Sequence, residues 1–262
     1  RVVVIGAGWI GAEVAASARQ LGAEVAMIEM ASVPLERVLG AEVGAVYRDL
    51  HADHGVELHF GAGVASIEGQ TSARGVRLGD GQVVDGDVVV IGVGVTPCVE
   101  LAEAAGLRVD NGVLTDEYLQ TSAPFIYAAG DVANALHPRY GERIRLEHWS
   151  AALNQGPAAA RNLAGHHEAY ERTPYFFSDQ YDLGMEYRGS APTWDQVVFR
   201  GDPASREFIS FWLSGGRVLA AMNANVWDAG DALEGLVSAR AIVEPARLAD
   251  PEVDLSSLVP AS

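Results

Sequence analysis

The chain has 262 residues, 49% of them hydrophobic and 29 of them glycine, which suits one large or two modest α/β domains rich in tight turns. A net charge of -17, with all 18 basic residues arginine, makes nucleic acid and anionic lipid poor partners. The single cysteine, Cys98, excludes an intrachain disulfide framework, a Cys-x-x-Cys couple and a multi-cysteine metal site, and it fits a reducing, cytoplasmic setting.

No apolar run reaches the ~18 residues needed to cross a bilayer. The sequence starts without Met or a signal peptide, and Arg1–Ile5 runs straight into a glycine motif, as the start of a fragment would. That β-branched run reads as a strand buried on both faces. Gly6-Ala-Gly-Trp-Ile-Gly11 follows, then an Ala-rich helix over Ala12–Leu21 ended by Gly22, and a second strand over Glu24–Glu29. Ala41–His54 is predicted helical and Val56–Phe60 a short strand. Alternation cut by glycines predicts an antiparallel meander over 63–86. Asp87–Gly92 reads as another buried strand and Val99–Ala105 as a short helix, which completes one compact α/β unit.

Val109–Gly130 offers two short strands, one of them Ile126–Ala128. Trp149–Leu163 reads as a helix that Gly156-Pro157 could kink. A dense aromatic stretch begins at Tyr175. Strand-rich segments follow at Val197–Arg200, Glu207–Leu213 and Arg217–Asn225, then a helix over Asp231–Ile242 and a polar, poorly ordered tail after Asp250.

Two motifs carry chemistry. Gly6-x-Gly8-x-x-Gly11 lies between a strand and a helix, and Glu29 stands eighteen residues beyond its last glycine, at the end of the next strand. Gly6 permits the turn, Gly8 lets a pyrophosphate approach the backbone, and Gly11 brings helix and strand together. The helix N-terminus offers free N–H groups to phosphates. The Glu29 carboxylate can accept from both hydroxyls of an adenosine ribose and would repel a 2′-phosphate, which favours NAD over NADP. Glu13, in the first helical turn, reads on its own as an exposed or dipole-favoured carboxylate. The second motif is Thr121-Ser-Ala-Pro-Phe-Ile-Tyr-Ala-Ala-Gly-Asp131, where a short strand delivers Gly130-Asp131; such a carboxylate can accept from the sugar hydroxyls of a flavin nucleotide.

Six segments together resemble the oxygenase-coupled ferredoxin reductases of the putidaredoxin and rhodocoxin reductase type. They are Val4–Glu13, Leu35-Glu-Arg-Val-Leu39, Ile91-Gly-Val-Gly-Val-Thr-Pro97, Thr121–Asp131, Arg145–Gln155 and Tyr175–Asp182. The resemblance implies a Rossmann-like NAD-binding domain over 1–108, the C-terminal segment of an FAD-binding domain over 109–170, and an α+β reductase domain over 171–262. It implies electron transfer from NADH through FAD to a [2Fe–2S] ferredoxin serving a P450 or an aromatic-ring dioxygenase. Gly6, Gly8, Ile10, Gly11, Glu13, Glu29, Arg37, Gly92 and Gly94 would then serve NAD(H), with Glu13 near the nicotinamide and flavin rings and no acid–base residue required. Asp131 and Trp149 would contact FAD, with core packing the alternative for Trp149. The family opens with its own glycine motif for FAD, and that unit is absent here.

Four further expectations follow. Cys98, without a partner, is read as a small packed thiol. His51, His54, His166 and His167 form no ligand set with carboxylates and read as exposed histidines. Arg139, Arg143 and Arg145 either form a basic patch for an acidic ferredoxin or solubilise a loop and pair with Glu142 and Glu147. The oligomeric expectation is a monomer or weak homodimer. The alternatives are another FAD/NAD(P)H oxidoreductase of the same superfamily, or a non-catalytic dinucleotide-binding fragment resembling apoptosis-inducing factor.

Overall fold

A computed structural model describes residues 1–260 of the chain. Contacts divide the chain into two compact units, Arg1–Gly94 with Phe177–Ser262, and Val95–Phe176.

The first unit opens with β1 (Val2–Ile5), α1 (Trp9–Gln20) and β2 (Val25–Glu29). α2 (Glu36–Asp53) and β3 (Glu57–Phe60) follow, then the antiparallel meander β4 (Val64–Glu68), β5 (Gly75–Leu78) and β6 (Val83–Asp85), and β7 (Val88–Ile91). The parallel sheet has the order β3-β2-β1-β7. Its continuous apolar runs serve two faces by strand alternation. Val4 and Met27 pack with Ala7 and Ala15 on the α1 side, while Val3, Ile5, Ala26 and Ile28 pack against Val76, Leu78 and Val84 of the meander. Buried alanines at 12, 15 and 16 let α1 lie close to the strands.

Three readings of this region change. α1 starts at Trp9 rather than Ala12, so Gly11 lies inside it. α2 starts at Glu36, with a one-turn prelude broken from the main helix at Gly40 (φ 82°, ψ 170°). The Gly40 break is clamped: the indole of Trp194 lies 3.1 Å from where a Cβ would stand, and Trp212 Nε1 donates to the Leu39 carbonyl at 3.0 Å. β7 is an edge strand, so Val88 and Ile91 are exposed rather than buried.

The second unit holds α3 (Glu100–Ala104), β8 (Val113–Thr115), β9 (Ala133–His137), β10 (Glu142–Ile144) and α4 (Trp149–Leu163). Its sheet has the order β10-β9-β8. Leu119, Ala135, Ala158 and Ala159 form its core. The strand expected at Ile126–Ala128 is only an isolated bridge between Gln120 and Tyr127. α4 runs unbroken through Pro157.

The chain then forms β11 (Tyr175–Gln180), β12 (Leu183–Gly189), β13 (Gln196–Asp202), β14 (Glu207–Ser214) and β15 (Arg217–Ala224), an antiparallel sheet of order β11-β12-β15-β14-β13. α5 (Gly230–Ser238) and α6 (Pro245–Ala249) follow. α5 stops short of the expected Ile242 because Arg240 turns left-handed (φ 47°), and Ile242 instead bridges to Arg217. The tail is not loose through residue 260. Leu255 and Leu258 enter the core beside Phe211, Leu233 and Leu248, and the Arg200 guanidinium donates to the carbonyls of Asp250, Pro251 and Val253. The last two tail residues lie outside the described residues.

Candidate functional site

Each glycine of the motif has a distinct physical reason. Gly6 has φ +95°, and a Cβ there would stand 2.4 Å from the Gly92 carbonyl oxygen. A Cβ on Gly11 would stand 1.9 Å from the Gly6 carbonyl oxygen. Gly92 is tied to the same knot through its N–H to the Ile5 carbonyl, 2.8 Å. Gly8 differs: it caps α1 with extended backbone, and a Cβ would meet nothing within 4 Å. No side chain caps α1, so no capping side chain takes up its first-turn N–H groups or its partial positive charge. Such a cradle fits a pyrophosphate. Gly94 (φ +119°) is also open, and Ile10, in the first turn of α1, is exposed.

Glu29 ends β2. Its Oε2 accepts from Ala7 N at 2.8 Å, inside the glycine turn, and its Oε1 accepts from Ala31 N at 3.0 Å. Both bonds fix the carboxylate beside the turn and leave each oxygen a further lone pair for a hydroxyl. Arg37 is exposed in the prelude of α2.

Glu13 is half-buried rather than free on the surface. Ser178 Oγ donates to its Oε1 at 2.6 Å. Gln180 Nε2 lies 3.3 Å from that hydroxyl, and Gln180 Oε1 lies 3.0 Å from His51 Nε2. Tyr181 Oη stands 3.3 Å from His51 Nδ1, and the Tyr181 ring stacks on His54 at 3.7 Å. His51 is therefore fully buried, not exposed, and burial pulls its pKa down to about 4. Burial pushes Tyr181 up to about 12. Tyr47, wholly buried, is raised by burial and then by the Glu13 charge. In the sequence Ser178 and Gln180 show as polar residues alternating within the Tyr175–Asp182 segment, with nothing to mark them as partners of Glu13.

In the second unit, Gly130 (φ +76°) packs against Ala152 of α4 and donates its N–H to Gln155 Oε1 at 2.8 Å. Both its positive φ and the close approach of Ala152 call for glycine there. Asp131 is exposed beside it. Trp149 is 70% exposed on the first residue of α4, so core packing does not explain it. Arg143 and Arg145 are committed to structure. Arg143 Nη1 donates to the carbonyls of Thr115 and Asn134 at 2.7 and 2.9 Å. Arg145 pairs with Glu147 at 2.6 Å and donates to the Asp131 carbonyl. Cys98 is exposed, because it lies in irregular backbone between β7 and α3 rather than in a core. Among the described residues no His, Cys, Asp or Glu group could hold a metal ion, and no helix is long and apolar enough to cross a membrane.

These features match known proteins. Residues 1–156 match the family model described as pyridine nucleotide-disulphide oxidoreductase, and residues 175–259 match the model described as reductase C-terminal. The ferredoxin–NAD(+) reductase component of the anthranilate 1,2-dioxygenase system of Burkholderia cepacia is 41% identical, over 99% of this chain and 64% of its own length. Putidaredoxin reductase of Pseudomonas putida is 37% identical, over 100% of this chain and 63% of its own. The ferredoxin reductase for the CYP199A2 system of Rhodopseudomonas palustris superposes with a TM-score of 0.94 at 36% identity, covering 99% of this chain and 64% of that one. The chain thus spans a little under two thirds of the length of these relatives. The chain belongs to the pyridine nucleotide-disulphide oxidoreductase family.

Proposed function

We propose that the protein carrying this chain is an FAD-dependent NADH:ferredoxin reductase that passes electrons to a [2Fe–2S] ferredoxin serving an oxygenase. The observation that carries this reading is the pairing of an open Gly8 turn with a Glu29 carboxylate held beside it by Ala7 and Ala31. The turn suits the pyrophosphate of a dinucleotide. The carboxylate suits the two ribose hydroxyls of NADH and would repel the phosphate of NADPH. The names of the relatives supply the acceptor class: all three named above are ferredoxin or putidaredoxin reductases.

In this reading residues 1–108 bind NADH, 109–170 contribute to an FAD-binding domain, and 171–262 form the reductase domain. Gly6, Gly8, Ile10, Gly11, Glu29, Arg37, Gly92 and Gly94 hold NADH, Glu13 stands near the nicotinamide, and Asp131 and Trp149 contact FAD. When bound, FAD supplies the conversion of a hydride into single electrons. The chain's own residues bind, orient and exclude water, and hydride transfer needs no acid–base residue among them. The protein is read as a cytoplasmic monomer or weak homodimer.

The test is NADH-driven reduction of a [2Fe–2S] ferredoxin by the holoenzyme, with NADPH as the competing donor. Efficient ferredoxin reduction with NADH well ahead of NADPH is expected. Equal use of the two donors would remove the role assigned to Glu29, and dye reduction without ferredoxin reduction would remove the acceptor.

A further inference from the structure

We propose that Tyr181, His51, Gln180 and Ser178 form a one-way chain of hydrogen bonds that positions the Glu13 carboxylate, with Ser178 as its immediate positioning residue. The proposal rests on the reading that Glu13 stands near the nicotinamide.

The direction follows from donor and acceptor chemistry. An ionised carboxylate only accepts, so the Ser178 hydroxyl donates to Glu13 Oε1 across 2.6 Å. With its proton committed, Ser178 Oγ accepts from the Gln180 amide nitrogen at 3.3 Å. This fixes the Gln180 orientation and turns its oxygen toward His51 Nε2 at 3.0 Å. That nitrogen must carry the imidazole proton. His51 Nδ1 is then bare and accepts from the Tyr181 hydroxyl at 3.3 Å. Every link admits one arrangement, and each donor points toward Glu13.

The placement is built into the fold. Ser178 and Gln180 stand two residues apart on β11 and share a face; both are buried, as is His51 on α2. Glu13 comes from α1, two residues beyond the last motif glycine. β11 therefore ties the carboxylate to both helices of the nucleotide-binding part. In such surroundings hydrogen bonds polarise one another and an unpaired member is costly. The chain does not carry protons, because the Gln180 amide cannot pass one on and keep its form. Its role is orientation.

Two measurements test this. A histidine ¹⁵N spectrum of the chain at neutral pH reads the tautomer directly. Neutral His51 protonated at Nε2 is expected, and protonation at Nδ1, or an imidazolium, overturns the chain's direction. In the holoenzyme, Ser178→Ala is expected to lower kcat for NADH oxidation with ferricyanide about 10-fold while KM changes little, equivalent to ~1.4 kcal/mol. Ser178→Thr, which keeps the hydroxyl, should restore most of it. Glu13→Gln, measured alongside, separates the two readings. If it is slow while Ser178→Ala matches the parent, the positioning role is wrong and the place of Glu13 stands. If Glu13→Gln itself matches the parent, both fall. Failure of Ser178→Thr to rescue assigns Ser178 to packing alone and also overturns the proposal.

Discussion

The glycine turn of the first unit and the Gly130–Trp149 segment of the second reach their candidate ligands by opposite means. Around Gly6–Gly11 the backbone itself is the candidate site. Gly6 and Gly11 sit at distances no side chain could enter, Gly8 is left open, and a carboxylate is hydrogen-bonded into the turn. Around Asp131 the Gly130 backbone packs against α4, and the candidate FAD-contacting groups are exposed side chains, Asp131 and Trp149. In the first region folding and the candidate binding surface share one backbone, and in the second they lie on different groups. Substitutions should show it.

The largest expected effect comes from Gly11→Ala. Its Cβ would stand 1.9 Å from the Gly6 carbonyl oxygen, a backbone atom that cannot turn aside. Opening the α1–β1 contact should cost at least ~3 kcal/mol and lower the thermal midpoint by roughly 6–12 °C. Gly8→Ala is the control within the same motif. Its φ of -73° suits alanine and its surroundings are empty, so the midpoint should hold within about 2 °C. Its dissociation constant for NADH should rise at least about 10-fold. Equal destabilisation by the two variants would erase the distinction between the closed and open glycines.

The second effect is on pH dependence. Burial depresses His51 from 6.5 to about 4, so between those values the unfolded chain takes up a proton that the folded chain refuses. Folding stability is therefore full above about pH 6.5 and falls with pH down to about pH 4. The loss is on the order of 3 kcal/mol. His137 and His148, lowered chiefly by burial in the second unit, contribute in the same direction. Urea unfolding across this range should show the slope, and His51→Gln should flatten it. A slope unchanged by His51→Gln would place its origin outside the Glu13 network.

Arg143 gives a smaller effect. Its guanidinium joins the carbonyls of Thr115 and Asn134, so Arg143→Ala should cost about 1–2 kcal/mol. It should leave the salt dependence of ferredoxin reduction unchanged. A flattened salt dependence at full stability would restore Arg143 as a docking residue.

The same contrast governs what could be read from residues alone. The β1–α1–β2 unit was legible because a β-branched run, spaced glycines and Glu29 each have one physical use there. The meander was legible from alternation and turn glycines. β9 and β10 were missed because Ala133–His137 and Glu142–Ile144 lack a β-branched run. β11 and β12 were hidden in a stretch whose aromatics suit core and contact equally. The polar look of the tail hid Leu255 and Leu258, and no local pattern says that Arg200 will hold that segment by its carbonyls. The bond from Ser178 to Glu13 joins residues 165 positions apart, beyond any sequence period.

The smallest stability effect is expected at Trp149, and it tests the second half of the comparison. A tryptophan in a core would cost several kcal/mol on truncation to alanine. Trp149 is 70% exposed and opens α4 with its ring in solvent. Alanine is also the better helix former, by a few tenths of a kcal/mol. Trp149→Ala should therefore change the unfolding free energy of the chain by less than about 0.5 kcal/mol. If the ring stacks on a flavin or covers its edge, the same variant should weaken FAD retention by the holoenzyme, measured as the flavin-to-protein ratio after dialysis. An intact chain that loses flavin assigns the side chain to the ligand. Lost stability in the isolated chain would return Trp149 to packing, and full stability with full flavin retention would leave Asp131 to hold FAD without it.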